Sequence, residues 1–217
     1  MRTSDSLRKT YGETLVELGK DNKEIVMLEA DLGNSTMSAM FGAAYPERYF
    51  QMGIAEQNMA SVAAGLSLAG KIPFINSFAV FATGRAYDQI RSSVAIANLN
   101  VKICGSSAGL SDFGDGKTHQ SIDDIALMQV LPNMTVLSPC DAIETEKMTK
   151  AMAECNGPVY LRINRNDLPL VTDPKAEYKI GQMTEMVEGK DVVVFATGVM
   201  VQQSMEAAKI LEKEGIS

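Results

Sequence analysis

GIAEQNMASVAAGLSLAGKIPFINSFAVFATGRAYDQIR, residues 53–91, decides the fold. Glu56–Ala69 is a helical stretch that is apolar almost all round and rich in Ala and Gly, so it reads as a buried helix that lets neighbours come close. Lys71–Asn76 (KIPFIN) is a short apolar run with no strict alternation, which reads as a strand covered on both faces. Ala79–Ala95 returns to helical spacing. The same alternation continues in both directions. Upstream, Leu7–Gly19 is helical through Leu7, Tyr11, Leu15 and Leu18, and Glu24–Ala30 (EIVMLEA) is a buried strand. Downstream, Val101–Cys104, Met134–Leu137 and Pro158–Ile163 are strands, with a helix over Asp141–Ala153. Strands separated by helices predict an α/β fold with an open, mostly parallel sheet and helices on both faces.

Past this domain the pattern changes. Thr172–Lys190 turns polar and reads as a small hairpin or linker. Asp191–Ala196 (DVVVFA) and Val201–Lys213 then read as one strand and one helix, too little to bury a core. The expected division is a domain over residues 1–173, a linker or hairpin over 174–190, and the truncated start of a second α/β domain over 191–217.

The 217 residues are 46% hydrophobic and 22% charged, enough for a real core. A net charge of −7 argues against nucleic acid or an anionic membrane as partner. No apolar run is long enough to cross a bilayer, and residues 1–20 lack a signal-peptide profile. Cys104, Cys140 and Cys155 have no metal or redox spacing, so a reducing cytoplasm is the expected compartment.

Three stretches carry candidate chemistry. Glu56 opens the Ala/Gly-rich helix, where a carboxylate complements the helix dipole but is equally placed to bind something polar in a dry site. Phe78 and Phe81 follow a strand, where open parallel sheets place ligands, and could line one wall of a flat pocket or simply fill the core. The loop Ser106–Gln120 holds Asp115 and His119, the one histidine of the chain. Its Gly114-Asp115-Gly116 triplet superficially suggests a metal-diphosphate motif, but the strand before it and the asparagine well downstream are not in place. It is rejected as a metal site.

Together GIAEQN (53–58), SFAVFATGRAYDQIR (77–91), GDGKTHQ (114–120) and GPVYLRINRND (157–167) resemble, in order and spacing, the pyrimidine-binding domain of the transketolase family, in the form where this half is a separate polypeptide. EIVMLEADLGNS (24–35) fits its opening strand and loop, and Val192–Ser217 is similar to the start of its C-terminal domain. The resemblance implies a thiamin diphosphate- and Mg-dependent transfer of two-carbon ketol units between sugar phosphates. Glu56 matches the glutamate that hydrogen-bonds the pyrimidine ring nitrogen and promotes the imino tautomer, making Glu56 and His119 the implied catalytic residues. Phe78 matches an aromatic that packs on the pyrimidine, and Phe81 replaces a nearby tyrosine. Asp115 and His119 match contacts to substrate hydroxyls; Ser35 and Arg165 match groups that hold the substrate phosphate. The N-terminal phosphate-binding basic residue falls on Arg8 or Lys9. Ser107 stands where transketolases carry a histidine and deoxyxylulose-phosphate synthases an arginine. The implied partners are an N-terminal transketolase subunit holding the diphosphate and metal, and a second copy of the chain in a homodimer. A synthase-like or 2-oxoacid dehydrogenase beta-type subunit, and a non-catalytic partner module, are the alternatives.

Overall fold

Successive residues of a strand face opposite sides, so a strand covered on both faces must be apolar throughout. Strand β1 (Ser4–Ser6) leads into helix α1 (Leu7–Asp21), and β2 (Ile25–Glu29) then meets that condition at its first four residues, with all five buried and the carboxylate Glu29 at its end. The computed structural model describes residues 4–217. After β2 come α2 (Gly33–Thr36), α3 (Ala39–Ala44), β3 (Tyr49–Gln51), α4 (Glu56–Leu68) and β4 (Ile72–Phe78). Two π-helical runs, Val80–Arg85 and Ile90–Ala95, flank the short α5 (Tyr87–Gln89). β5 (Lys102–Ser106), α6 (Asp124–Gln129), β6 (Thr135–Leu137), α7 (Ala142–Glu154), β7 (Val159–Arg162), β8 (Asp167–Pro169) and α8 (Met200–Glu212) complete the chain.

Six strands form one parallel sheet in the order β3-β2-β4-β5-β7-β6, and β1 pairs antiparallel with β8 in a separate ribbon. The expected open parallel α/β fold is borne out. Two cores lie on opposite faces of the sheet. Val26, Leu28, Ile75 and Ile103 meet Met59, Ala60 and Ala63 of α4 on one side; Ile25, Met27 and Phe74 meet Leu7, Tyr11 and Leu15 of α1 and Met152 of α7 on the other. Each such buried aliphatic contributes roughly 1.5–3 kcal/mol.

Helix ends are fixed locally. The Ser6 side chain accepts from Lys9 N at the start of α1. Asp141 accepts from Glu144 N at 2.8 Å at the start of α7, while Glu144 accepts from Cys140 N at 2.8 Å. Beyond the end of α7, the buried Lys102 amine donates to the carbonyls of Cys155 (2.6 Å) and Gly157 (2.9 Å), and burial pushes its pKa down to about 8.

Two local expectations differ from the structure, and a third is narrowed. Asp191–Ala196 forms no strand: Asp191–Phe195 is exposed and pairs with no other strand among the described residues, so its apolar run lacks the neighbour that a strand needs. Of the two alternatives for Thr172–Lys190, hairpin or linker, the structure shows turns and no hairpin. The all-round burial expected of α4 holds on one face only; Ser61, Val62 and Gly65 are exposed on the other.

Candidate active site

Every candidate site residue lies beyond or at the carboxyl ends of parallel strands, except Arg8 and Lys9 near the start of α1. Ser35 follows β2, Glu56 follows β3, Phe78 ends β4, Asp115 and His119 follow β5, and Arg165 follows β7. In open α/β sheets ligands bind at that edge.

Glu56 opens α4 with 1% of its surface exposed. Arg85 Nη1 donates to both of its carboxylate oxygens at 2.8 Å, and the Arg85 Cζ stands 4.6 Å from the Phe81 ring centroid. The rings of Phe78 and Phe81 stack with centroids 6.2 Å apart and 13° between planes. His119 meets both edge-on, at 6.0 and 5.2 Å. Glu56, Phe78, Phe81 and His119 are thus linked in one cluster, through Arg85. Phe78 is buried and Phe81 half-buried, so one secures the wall to the core and the other presents a face. Thr118 Oγ1 lies 2.9 Å from His119 Nδ1, which leaves Nε2 for another partner.

The loop that delivers His119 is tied down at its base. Ala108 N donates to Ile163 O at 3.1 Å, and Ser121 N to Gly109 O at 3.1 Å. Below them the buried Asp124 accepts from Tyr160 Oη (2.7 Å) and Arg162 Nε (2.8 Å). Ser107 is buried with φ 55°, and its hydroxyl has no partner among the described residues.

A second group surrounds Arg165. Its Nη1 donates to both oxygens of the fully buried Asp112, at 2.8 and 2.9 Å, and more weakly to Asp115 at 3.4 Å. Its Nε–Nη2 edge has no hydrogen bond to another described residue and presents a fork suited to an anion. Arg8 Nη1 donates to Ser35 O at 2.8 Å, and its buried Nε has no partner among the described residues. Burial, then the charge of Arg165, holds the Arg8 guanidinium below its usual range, while Asp167 and Asp112 push the other way. Arg8 therefore stands with Ser35 and Arg165, whereas Lys9 turns outward to pair with Glu13 at 3.6 Å.

The loop carrying Ser35 is organised by Glu29, a fully buried carboxylate at the end of β2. It accepts from Ala30 N (3.0 Å), Leu32 N (3.2 Å), Thr36 Oγ1 (2.8 Å) and Ser38 Oγ. Burial pushes its pKa up to about 7, against those hydrogen bonds, which pull it down. Arg85, Asp112 and Glu29 were not singled out in the sequence. All three lie within stretches that were, and Glu29 has the further signal of an acid in an apolar strand. Among the described residues no cluster of three or more His, Cys, Asp or Glu could hold a metal.

The molecule is an open α/β domain whose parallel sheet carries, at its carboxyl edge, a buried carboxylate, two stacked phenylalanines and the neighbouring guanidinium groups of Arg8 and Arg165. The family description "Transketolase, pyrimidine binding domain" matches residues 4–171, and "Transketolase, C-terminal domain" matches residues 181–217. The chain belongs to the transketolase family. It is 46% identical, over 97% of its length and 67% of the relative's, to a Methanocaldococcus jannaschii protein provisionally named a transketolase C-terminal section. It is 39% identical, over 97% of its length and 65% of the relative's, to a 6-deoxy-6-sulfo-D-fructose transketolase subunit of a Clostridium species. A solved split-gene transketolase, described as an inactive beta4 tetramer, superposes with a TM-score of 0.88 at 50% identity, covering 98% of this chain and 69% of that one. The chain spans about two thirds of each of these proteins. No helix among the described residues is long and apolar enough to cross a membrane.

Proposed function

We propose that this chain is the pyrimidine-side half of a thiamin diphosphate-dependent transketolase, moving two-carbon ketol units between sugar phosphates in the cytoplasm. In this reading it pairs with a second copy of itself and with an N-terminal partner chain that holds the diphosphate and Mg²⁺. The observation that carries the reading is the Glu56 carboxylate, 1% exposed and joined through Arg85 to the Phe78–Phe81–His119 wall. A flat ring with a polar edge fits such a site. When bound, thiamin diphosphate supplies the thiazolium carbon at which the ketol unit is carried.

The chain's own residues then have separate tasks. Glu56 holds a proton at the pyrimidine ring nitrogen, and its burial keeps that contact out of competition with water. Phe78 and Phe81 orient the ring and exclude solvent. His119 and Asp115 bind substrate hydroxyls. Ser35, Arg8 and the Nε–Nη2 edge of Arg165 hold the phosphate, a reading supported by the Arg8 Nε, which has no partner among the described residues. The test is reconstitution: the pure chain should show no ketol transfer alone and gain it on mixing with the N-terminal subunit, Mg²⁺ and cofactor. Robust turnover by the pure chain would contradict the division of labour.

A further inference from the structure

Buried carboxylates need a counter-charge or a donor, and Glu56 has one partner among the described residues: Arg85. The way Arg85 reaches it is specific. A guanidinium is planar and cationic, with donors in its plane, and it stacks on aromatic faces. Arg85 uses all of these features at once, with Nη1 2.8 Å from both Glu56 oxygens and Cζ 4.6 Å from the Phe81 centroid. A protonated aminopyrimidine has the same shape, charge and in-plane N–H, and would meet the same carboxylate and the same ring.

We propose that Arg85 is an internal occupant of the Glu56 site, standing in for a planar nitrogen ring and displaced when the pyrimidine binds. The proposal rests on the reading of Glu56 as the pyrimidine partner. Arg85 is able to leave. Its side chain is 44% exposed, so its charge already meets water. It ends the π-helical run Val80–Arg85, next to Gly84, beside which a side chain would find nothing within 4 Å. Departures from α-helical pitch of this kind concentrate at functional sites. The occupant keeps Glu56 paired while the ring is absent, and it lowers the ring's apparent affinity by the fraction of molecules it fills.

The experiment is calorimetric titration of the whole chain with 4-amino-2-methylpyrimidine, comparing the native protein with Arg85→Gln and Arg85→Ala. Both variants should bind the ring at least about tenfold more tightly, the gain expected if Arg85 fills the site in nine molecules of ten. Free guanidinium should compete with the ring in the variants and have little effect on the native chain. If Arg85→Ala fails to fold, Arg85→Gln, whose side chain is polar and similar in reach, carries the comparison. Equal or weaker binding by the variants, or binding by none of the proteins, overturns the proposal. The underlying reading is checked separately, by Glu56→Gln in the assembled enzyme: if that substitution abolishes turnover while the Arg85 variants bind no better, only the occupant idea fails.

Discussion

Two ion pairs at the carboxyl edge of the sheet have nearly the same geometry and opposite consequences. In each, one guanidinium nitrogen reaches both oxygens of a buried carboxylate: Arg85 to Glu56 at 2.8 Å, Arg165 to Asp112 at 2.8 and 2.9 Å. The carboxylates are 1% and 0% exposed, while the arginine side chains are 44% and 33% exposed. In the first pair the buried acid is the candidate ligand group, and on the occupant proposal the cation moves when a ligand enters. In the second the half-exposed cation is the candidate ligand group, and the buried acid anchors it with one edge free. On these readings the same contact closes one site and prepares the other, according to which member faces the ligand.

The largest stability effect should come from breaking the Arg165 pair on its exposed side. Arg165→Met leaves the Asp112 charge buried without a partner and should cost about 3–5 kcal/mol in urea unfolding. Asp112→Asn should cost less, since Arg165 can turn to water, and the double variant should recover most of the loss. A cost under about 1 kcal/mol for Arg165→Met would show that the pair does not anchor anything.

Glu29 sharpens the comparison as a buried carboxylate held by neutral donors alone. Its pKa rises from 4.5 to about 7, with burial as the largest cause. The folded value lies above the unfolded one, so the stability it contributes is fully present below about pH 4.5 and is lost as pH rises through about 7. The span corresponds to roughly 3 kcal/mol at most. Unfolding followed from pH 4 to 8 should show this decline superposed on the other titrations, and Glu29→Gln should flatten it. A variant whose pH profile matches the native one would mean that Glu29 stays charged in the fold throughout.

The frame of the molecule was legible because strands buried on both faces are apolar through their middles, as IVML (25–28) and IPFI (72–75) are. The three-residue strands β1 (SDS), β3 (YFQ) and β8 (DLP) lack the apolar run that marked the equally short β6 (TVL). DVVVFA misled for the converse reason: strand pairing is a tertiary event, and an apolar run without a neighbouring strand stays unpaired. At the site, motifs pointed to Glu56 and Arg165, one member of each pair. Their partners are 29 and 53 residues away, in contacts that only the folded sheet creates.

The central claim, that Glu56 serves the pyrimidine ring, is tested most directly by Glu56→Gln in two paired assays. The amide oxygen can still accept from Arg85, and a neutral group costs less to bury, so thermal unfolding of the chain should shift by no more than about 1 kcal/mol. Turnover with the N-terminal subunit, Mg²⁺ and saturating cofactor should fall by roughly 10²–10⁴, the worth of a positioned proton-transfer group. A variant that melts early but keeps its turnover would contradict the account and leave Glu56 a structural residue at the head of α4.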